Sequence, residues 1–137
     1  MPFEVIGKPI VINGKTIPLS KAIKAGDFVF LSGQLGANSD MVFPQNVTEQ
    51  TELCILNIKT ILEQCDLELS DVIKTTVWLT KIEYFQEFNA VYEKYFPSSP
   101  PCRSTVCSAL MIPAALVEIE AIAYIKNGKS LEKSDLS

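Results

Sequence analysis

The chain has 137 residues, 47% of them hydrophobic, a net charge of −4 and no histidine. That length predicts one domain able to bury about two-thirds of its unfolded surface, and the apolar fraction argues against disorder. The acidic balance disfavours a general nucleic-acid binder, and the missing histidine excludes Ser-His-Asp, Cys-His and paired-histidine ribonuclease chemistry, leaving proton transfer to carboxylates, Lys, Tyr, Cys or water.

In chain order, Phe3 to Leu19 alternates short apolar runs around Asn13-Gly14, a hairpin signal. A turn at Ala25-Gly26-Asp27 leads into Phe28-Val29-Phe30-Leu31, a β-prone run read as a buried strand ending in Ser32-Gly33-Gln34. A loop is predicted over 36–45. Asn46, with Glu49 three residues later, resembles a capping box and opens a helix expected to end near Asp66. Val72 to Thr80 is dense in strand formers, and Phe85, Phe88, Val91, Tyr92 and Tyr95 recur at helical spacing in a second helix predicted from about Ile82 to Phe96. Pro97, Pro100 and Pro101 forbid regular structure. Strands follow at Arg103–Met111, broken by Pro113, and at Leu116–Ile125. The reading is a single α+β domain over 1–126, a split β-α-β mixed sheet with two helices on one face, and a frayed polar tail over 127–137. One sheet face then lacks a helical cover, and burial against a second copy follows.

Cys54, Cys65, Cys102 and Cys107 form no CxxC pair, so reduced thiols are expected rather than a metal site or disulfides. Met1-Pro2-Phe3-Glu4 has no leader pattern, and no run approaches the ~18 apolar residues of a membrane span, so a cytoplasmic protein without membrane contact is expected.

Arg103 lies just inside a strand after a Pro-Cys turn, where a planar guanidinium can grip a carboxylate through two hydrogen bonds; a surface or ion-paired arginine fits the same position. Glu118 and Glu120 share one face of their strand, opposite Val117, Ile119 and Ala121, either solvated or serving a site. Gly33 can permit a bulge or the close approach of a ligand. Asn89 is a site amide or a surface one. The aromatic helix face reads as core. No Gly-rich phosphate loop or acidic metal cluster is present in the sequence.

Four segments together carry a resemblance: Ala25 to Gln34 with its Ser-Gly-Gln end, Ser70 to Leu79, Phe88 to Phe96, and Pro101-Cys102-Arg103-Ser104-Thr105-Val106 followed by Leu116 to Ala123. In spacing and order, from about Leu19 to Tyr124, the chain resembles the YjgF/RidA family, also labelled L-PSP endoribonuclease-like. The resemblance implies a chorismate-mutase-like α+β fold, a homotrimer with clefts between subunits, and hydrolytic deamination of reactive 2-enamino and 2-imino acids to 2-keto acids and ammonia, with no cofactor or metal. It implies that Arg103 binds the substrate carboxylate and Glu118 positions the water. Ser32, Gly33, Asn89 and Thr105 would line the cleft, with backbone groups near Ser32 and Thr105 at the imine nitrogen. Two positions depart from the pattern. Leu19 stands where the family's deaminases carry a tyrosine, and Thr105 stands where a cysteine is frequent, with Cys107 two further on. Two rival readings remain: an endoribonuclease or translation inhibitor, which the acidic, histidine-free chain disfavours, and a non-catalytic trimer binding a small carboxylate.

Overall fold

In the computed structural model, which describes residues 2–126, the densest runs of strand formers make the middle of one sheet. Six strands, β1 (Phe3–Ile6), β4 (Ala22–Ala25), β5 (Phe28–Leu35), β6 (Val72–Leu79), β7 (Cys102–Cys107) and β8 (Val117–Tyr124), are ordered β1-β4-β5-β8-β6-β7. Only β6 and β7 are parallel neighbours; the other pairs are antiparallel. Helix α1 (Val47–Glu63) links β5 to β6, which run parallel with β8 inserted between them, and α2 (Phe85–Tyr95) links β6 to β7. This is the mixed α+β sheet that the pattern predicts, with a split β-α-β unit. The polar tail expected over 127–137 lies outside the described residues.

Period-two patterning decides which face is core. Along β8, Val117, Ile119, Ala121 and Ala123 are buried, while Glu118, Glu120 and Ile122 are half-buried and Tyr124 is exposed. The buried set meets Cys54, Ile55, Ile58 and Leu62 of α1 and Phe88, Val91 and Tyr92 of α2, so both helices cover one face. The other face carries Phe28, Phe30 and Tyr124, all exposed, with ring centroids 6.4 Å apart for Phe28–Phe30 and 5.4 Å for Phe28–Tyr124.

Local chemistry sets several boundaries. Asn13 (φ 52°) and Gly14 (φ 75°) form the turn of a small hairpin between β2 (Val11–Ile12) and β3 (Lys15–Thr16), the left-handed pair that Asn-Gly favours. Asn46 caps α1, accepting a hydrogen bond from the Glu49 backbone N–H at 2.8 Å and donating to the Glu49 carboxylate at 2.7 Å. The helix stops at Glu63, short of the expected Asp66, because the chain reverses through a left-handed Asp66 (φ 58°). Residues Ile82–Tyr84 form a tighter 3₁₀ turn, so α2 begins three residues later than its periodicity suggests. Strand β7 ends at Cys107 rather than Met111, since its neighbour β6 ends at Leu79 and the final ladder bond runs from the Ser108 N–H to the Leu79 carbonyl. The loop beyond is tied down by Gln50. This buried amide donates to the carbonyls of Pro44 (2.7 Å) and Ala114 (3.0 Å) and accepts from the Leu116 N–H (2.8 Å). Among the described residues no helix is long and apolar enough to cross a membrane.

Candidate active site

Arg103 is the second residue of the edge strand β7, level with Thr75 on β6. Thr75 is fully buried toward the helices, and the two side chains share that face, so Arg103 emerges beneath α2. Three rings of α2 receive it. The guanidinium carbon lies 4.8 Å from the Tyr92 ring centroid, 5.4 Å from Phe88 and 5.8 Å from Phe85. Among the described residues no carboxylate pairs with it, and the rings hold it by cation–π attraction of about 0.5–2 kcal/mol per good contact. Behind the stack, the Tyr92 hydroxyl and Thr75 Oγ1 share a buried hydrogen bond of 2.7 Å. Burial pushes the Tyr92 phenol up in pKa, opposed by the Thr75 hydrogen bond and the Arg103 charge.

Thr105 and Cys107 follow at alternate positions of an unbroken register, so both face the Arg103 side. Together with Leu79, Ile82, Phe85 and Val106 they line a cavity of about 230 Å³. Half-buried Asn89 stands one helical turn beyond Phe85 on the same side of α2. Arg103, Thr105 and Asn89 thus gather at one sheet edge.

Glu118 lies on the other face. It pairs in register with Leu35 and Trp78, and a side chain at Gly33 would put its Cβ 2.9 Å from the Glu118 carboxyl carbon. Gly33 is therefore the gap in which that carboxyl rests, beside the register shift between Leu31 and Gln34. Burial raises the Glu118 pKa first, and the neighbouring Glu120 charge raises it further. Ser32 is committed within the chain: its hydroxyl donates to the Ser20 carbonyl at 2.6 Å and its backbone N–H to the Lys21 carbonyl at 2.9 Å. Neither proton is free for an imine nitrogen, so Ser32 serves to hold the 19–21 segment against β5. Leu19, 48% exposed, sits at the start of that tether.

The candidate residues therefore fall into two groups on opposite faces: Arg103, Asn89 and Thr105 under α2, and Glu118, Gly33 and Ser32, with Leu19 tethered beside Ser32, on the open side. Sequence reasoning missed the first group's supports, Thr75 and the ring platform. The signal was the spacing of Phe85, Phe88 and Tyr92, which reads as core; Phe88 and Tyr92 are core, Phe85 is exposed, and all three rings carry Arg103. Among the described residues no cluster of His, Cys, Asp or Glu is arranged to hold a metal ion.

The structure is thus a split β-α-β sheet with Arg103, unpaired among the described residues, at its edge and Glu118 over the gap at Gly33. The chain belongs to the YjgF/RidA family: the family model described as Endoribonuclease L-PSP matches residues 14–125. A RutC family protein of Pyrococcus abyssi is 40% identical over 109 residues, covering 78% of this chain and 86% of that protein. The chloroplastic Reactive Intermediate Deaminase A of Arabidopsis thaliana is 41% identical over 110 residues, covering 79% of this chain and 59% of that one. Among solved structures, yeast Mmf1 superposes with a TM-score of 0.80 at 31% identity, over 90% of this chain and 99% of that chain. RidA of an Antarctic Psychrobacter superposes at 0.77 and 32% identity, over 91% and 99%.

Proposed function

We propose that the chain is a hydrolytic deaminase of reactive 2-enamino and 2-imino acids, acting as a cytoplasmic homotrimer with its sites between subunits and needing no cofactor. The observation that carries this reading is the Arg103 guanidinium, stacked on three rings with its hydrogen-bonding edge unclaimed by a carboxylate among the described residues. A forked cation held this way suits a small carboxylate bound through two hydrogen bonds. The Arabidopsis relative's name supports the same reading.

The enamine tautomerises to an imine, and water adds at C2. Glu118 takes a proton from that water and passes it to the nitrogen, giving a carbinolamine; it then relays the carbinolamine's hydroxyl proton to the same nitrogen as the C–N bond breaks, releasing ammonia and the 2-keto acid. Its pKa, raised by burial and then by Glu120, suits a group that must first accept and then return a proton. Arg103 supplies orientation, the larger need for a reaction of low intrinsic barrier. Because Arg103 and Glu118 leave one chain on opposite faces, one substrate reaches both only when a neighbouring copy covers the open face. The exposed Phe28, Phe30 and Tyr124 cluster supports that cover.

The test is a coupled assay in which a pyridoxal-phosphate threonine dehydratase generates the imine and semicarbazide traps what is not hydrolysed. The chain is expected to speed 2-keto acid release, and Arg103→Ala, folded and assembled as before, to abolish the effect. Full activity in that variant overturns the assignment. If the wild type does not accelerate release but a 2-keto acid binds through Arg103, the non-catalytic carboxylate-binding reading takes its place.

A further inference from the structure

The deaminase reading gives Glu118 a task and leaves Glu120, the second carboxylate on that face of β8, without one. The ladder with β5 brings the two together. Leu31 pairs with Ala121 and Gln34 with Ile119, so Ser32 and Gly33 both stand opposite the single residue Glu120. The Glu118 carboxyl rests in the gap at Gly33. It has therefore leaned along the strand, away from its own level opposite Leu35 and toward the level of Glu120. The two stems start roughly 6.6 Å apart on the strand, and this lean carries one charge toward the stem of the other.

We propose that Glu120 is a positioning residue of the deaminase: its charge makes the neighbouring Glu118 a stronger base toward the attacking water, so that the pH dependence of the reaction belongs to the carboxylate pair. The proposal rests on the deaminase reading. A like charge disfavours the second ionisation, and the two groups then titrate as one coupled system. The surroundings leave that repulsion standing. Among the described residues of the open face, the lysine is Lys74 on β6, level with Ile122, one diagonal step from Glu120 and four residues from the level of Glu118. Lys21, whose carbonyl holds the Ser32 N–H, runs its side chain along Gly7. Cys102, level with Lys74, and Tyr124 are the other titratable groups of that face, while β1, β4 and β5 bring Val5, Ile23 and Phe30 to it in one apolar row. From the helix side, the Cys54 thiol of α1 is pushed up in pKa by burial and then by the Glu118 charge, and stays neutral. In the proposed trimer a neighbouring copy's Arg103 faces the same pocket in wild type and variant alike, so a change at Glu120 isolates its own charge. Burial and then Glu120 push the Glu118 carboxyl up, the direction this geometry requires.

The experiment generates the alanine-derived imine with an amino-acid oxidase in excess and measures kcat/KM by competition with semicarbazide from about pH 5 to 9. Glu120→Gln, assembled as wild type by native mass spectrometry, is expected to move the acid limb of kcat/KM to lower pH by roughly half a unit to one unit. Its plateau rate should fall by roughly two- to threefold, as a weaker base demands. Glu120→Asp keeps the charge and should return the limb to the wild-type position. An active Glu120→Gln with an unmoved limb, whatever its rate, overturns the proposal and leaves the deaminase reading standing. The second measurement needs no variant: in carboxyl ¹³C NMR of the wild-type protein, Glu118 is expected to titrate in two steps shared with Glu120, and a single step of its own overturns the pairing. Inactivity of the wild type on the imine overturns the deaminase reading instead, and the same titration then decides the pairing alone.

Discussion

Arg103 is oriented by rings, and one of those rings is itself pinned. Thr75 sits level with Arg103 on the adjacent strand, its hydroxyl bonds Tyr92, and the Tyr92 ring stacks on the guanidinium, so three residues close a triangle. Tyr92 is accordingly a positioning residue. Tyr92→Phe keeps the ring and deletes the bond, leaving the Thr75 hydroxyl buried without its partner, at a cost of about 1–2 kcal/mol in stability. The reading beyond stability is kinetic: KM for the imino acid should rise several-fold while kcat stays within about twofold, because the carboxylate grip is loosened and not the proton transfer. Equal falls in both would mean the hydroxyl acts in the chemistry. Glu118 carries the pH signature. Its pKa is raised in the folded chain by burial and then by Glu120, so the folded state keeps that proton to higher pH than the unfolded state. The stability this group contributes is full below its unfolded value and is lost as pH rises through the folded value. Glu118→Gln never ionises. Its Tm should match wild type in acid and exceed it above the carboxylate range, as thermal unfolding across pH will show.

At the scale of elements, Gln50 joins parts of the chain that are distant in sequence. From α1 it fixes the Pro44 carbonyl before the helix and both Ala114 and Leu116 ahead of β8. Gln50→Ala would strand these buried partners and is expected to cost about 2–4 kcal/mol, read as a fall in the urea midpoint. No sequence pattern announces such a strut, since a glutamine in a helix reads as solvated and its partners lie 64 and 66 residues away. What is local was legible: the Asn46 cap, the Asn13-Gly14 turn, and the period-two burial of β8 that sends Glu118 and Glu120 to one face. What depends on a neighbour was not. The end of β7 is set by where β6 stops, and the service of Phe85, Phe88 and Tyr92 to Arg103 requires knowing that β7 lies beneath α2. The candidate site residues were named by resemblance, whereas their division between two faces emerges only once the sheet is built.

At the scale of the molecule, the open face is the surface we propose as the boundary to another copy. Phe28, Phe30 and Tyr124 form an exposed aromatic cluster on the two central strands of a sheet face that no helix covers among the described residues. Native mass spectrometry is expected to give a trimer, and Phe30→Asp, which buries an unpaired charge in that contact, is expected to shift it to monomer and to remove deaminase activity together with assembly. A retained trimer in this variant would move the interface elsewhere. The separation of Arg103 and Glu118 onto opposite faces also has a genetic meaning. If copies close into a ring as proposed, each pocket would take its arginine from one copy and its glutamate from the next. Arg103→Ala and Glu118→Ala are each expected to be inactive alone, but a cell making both in equal amounts would build mixed rings in which about a quarter of the pockets unite an intact arginine with an intact glutamate. Two dead alleles would complement each other.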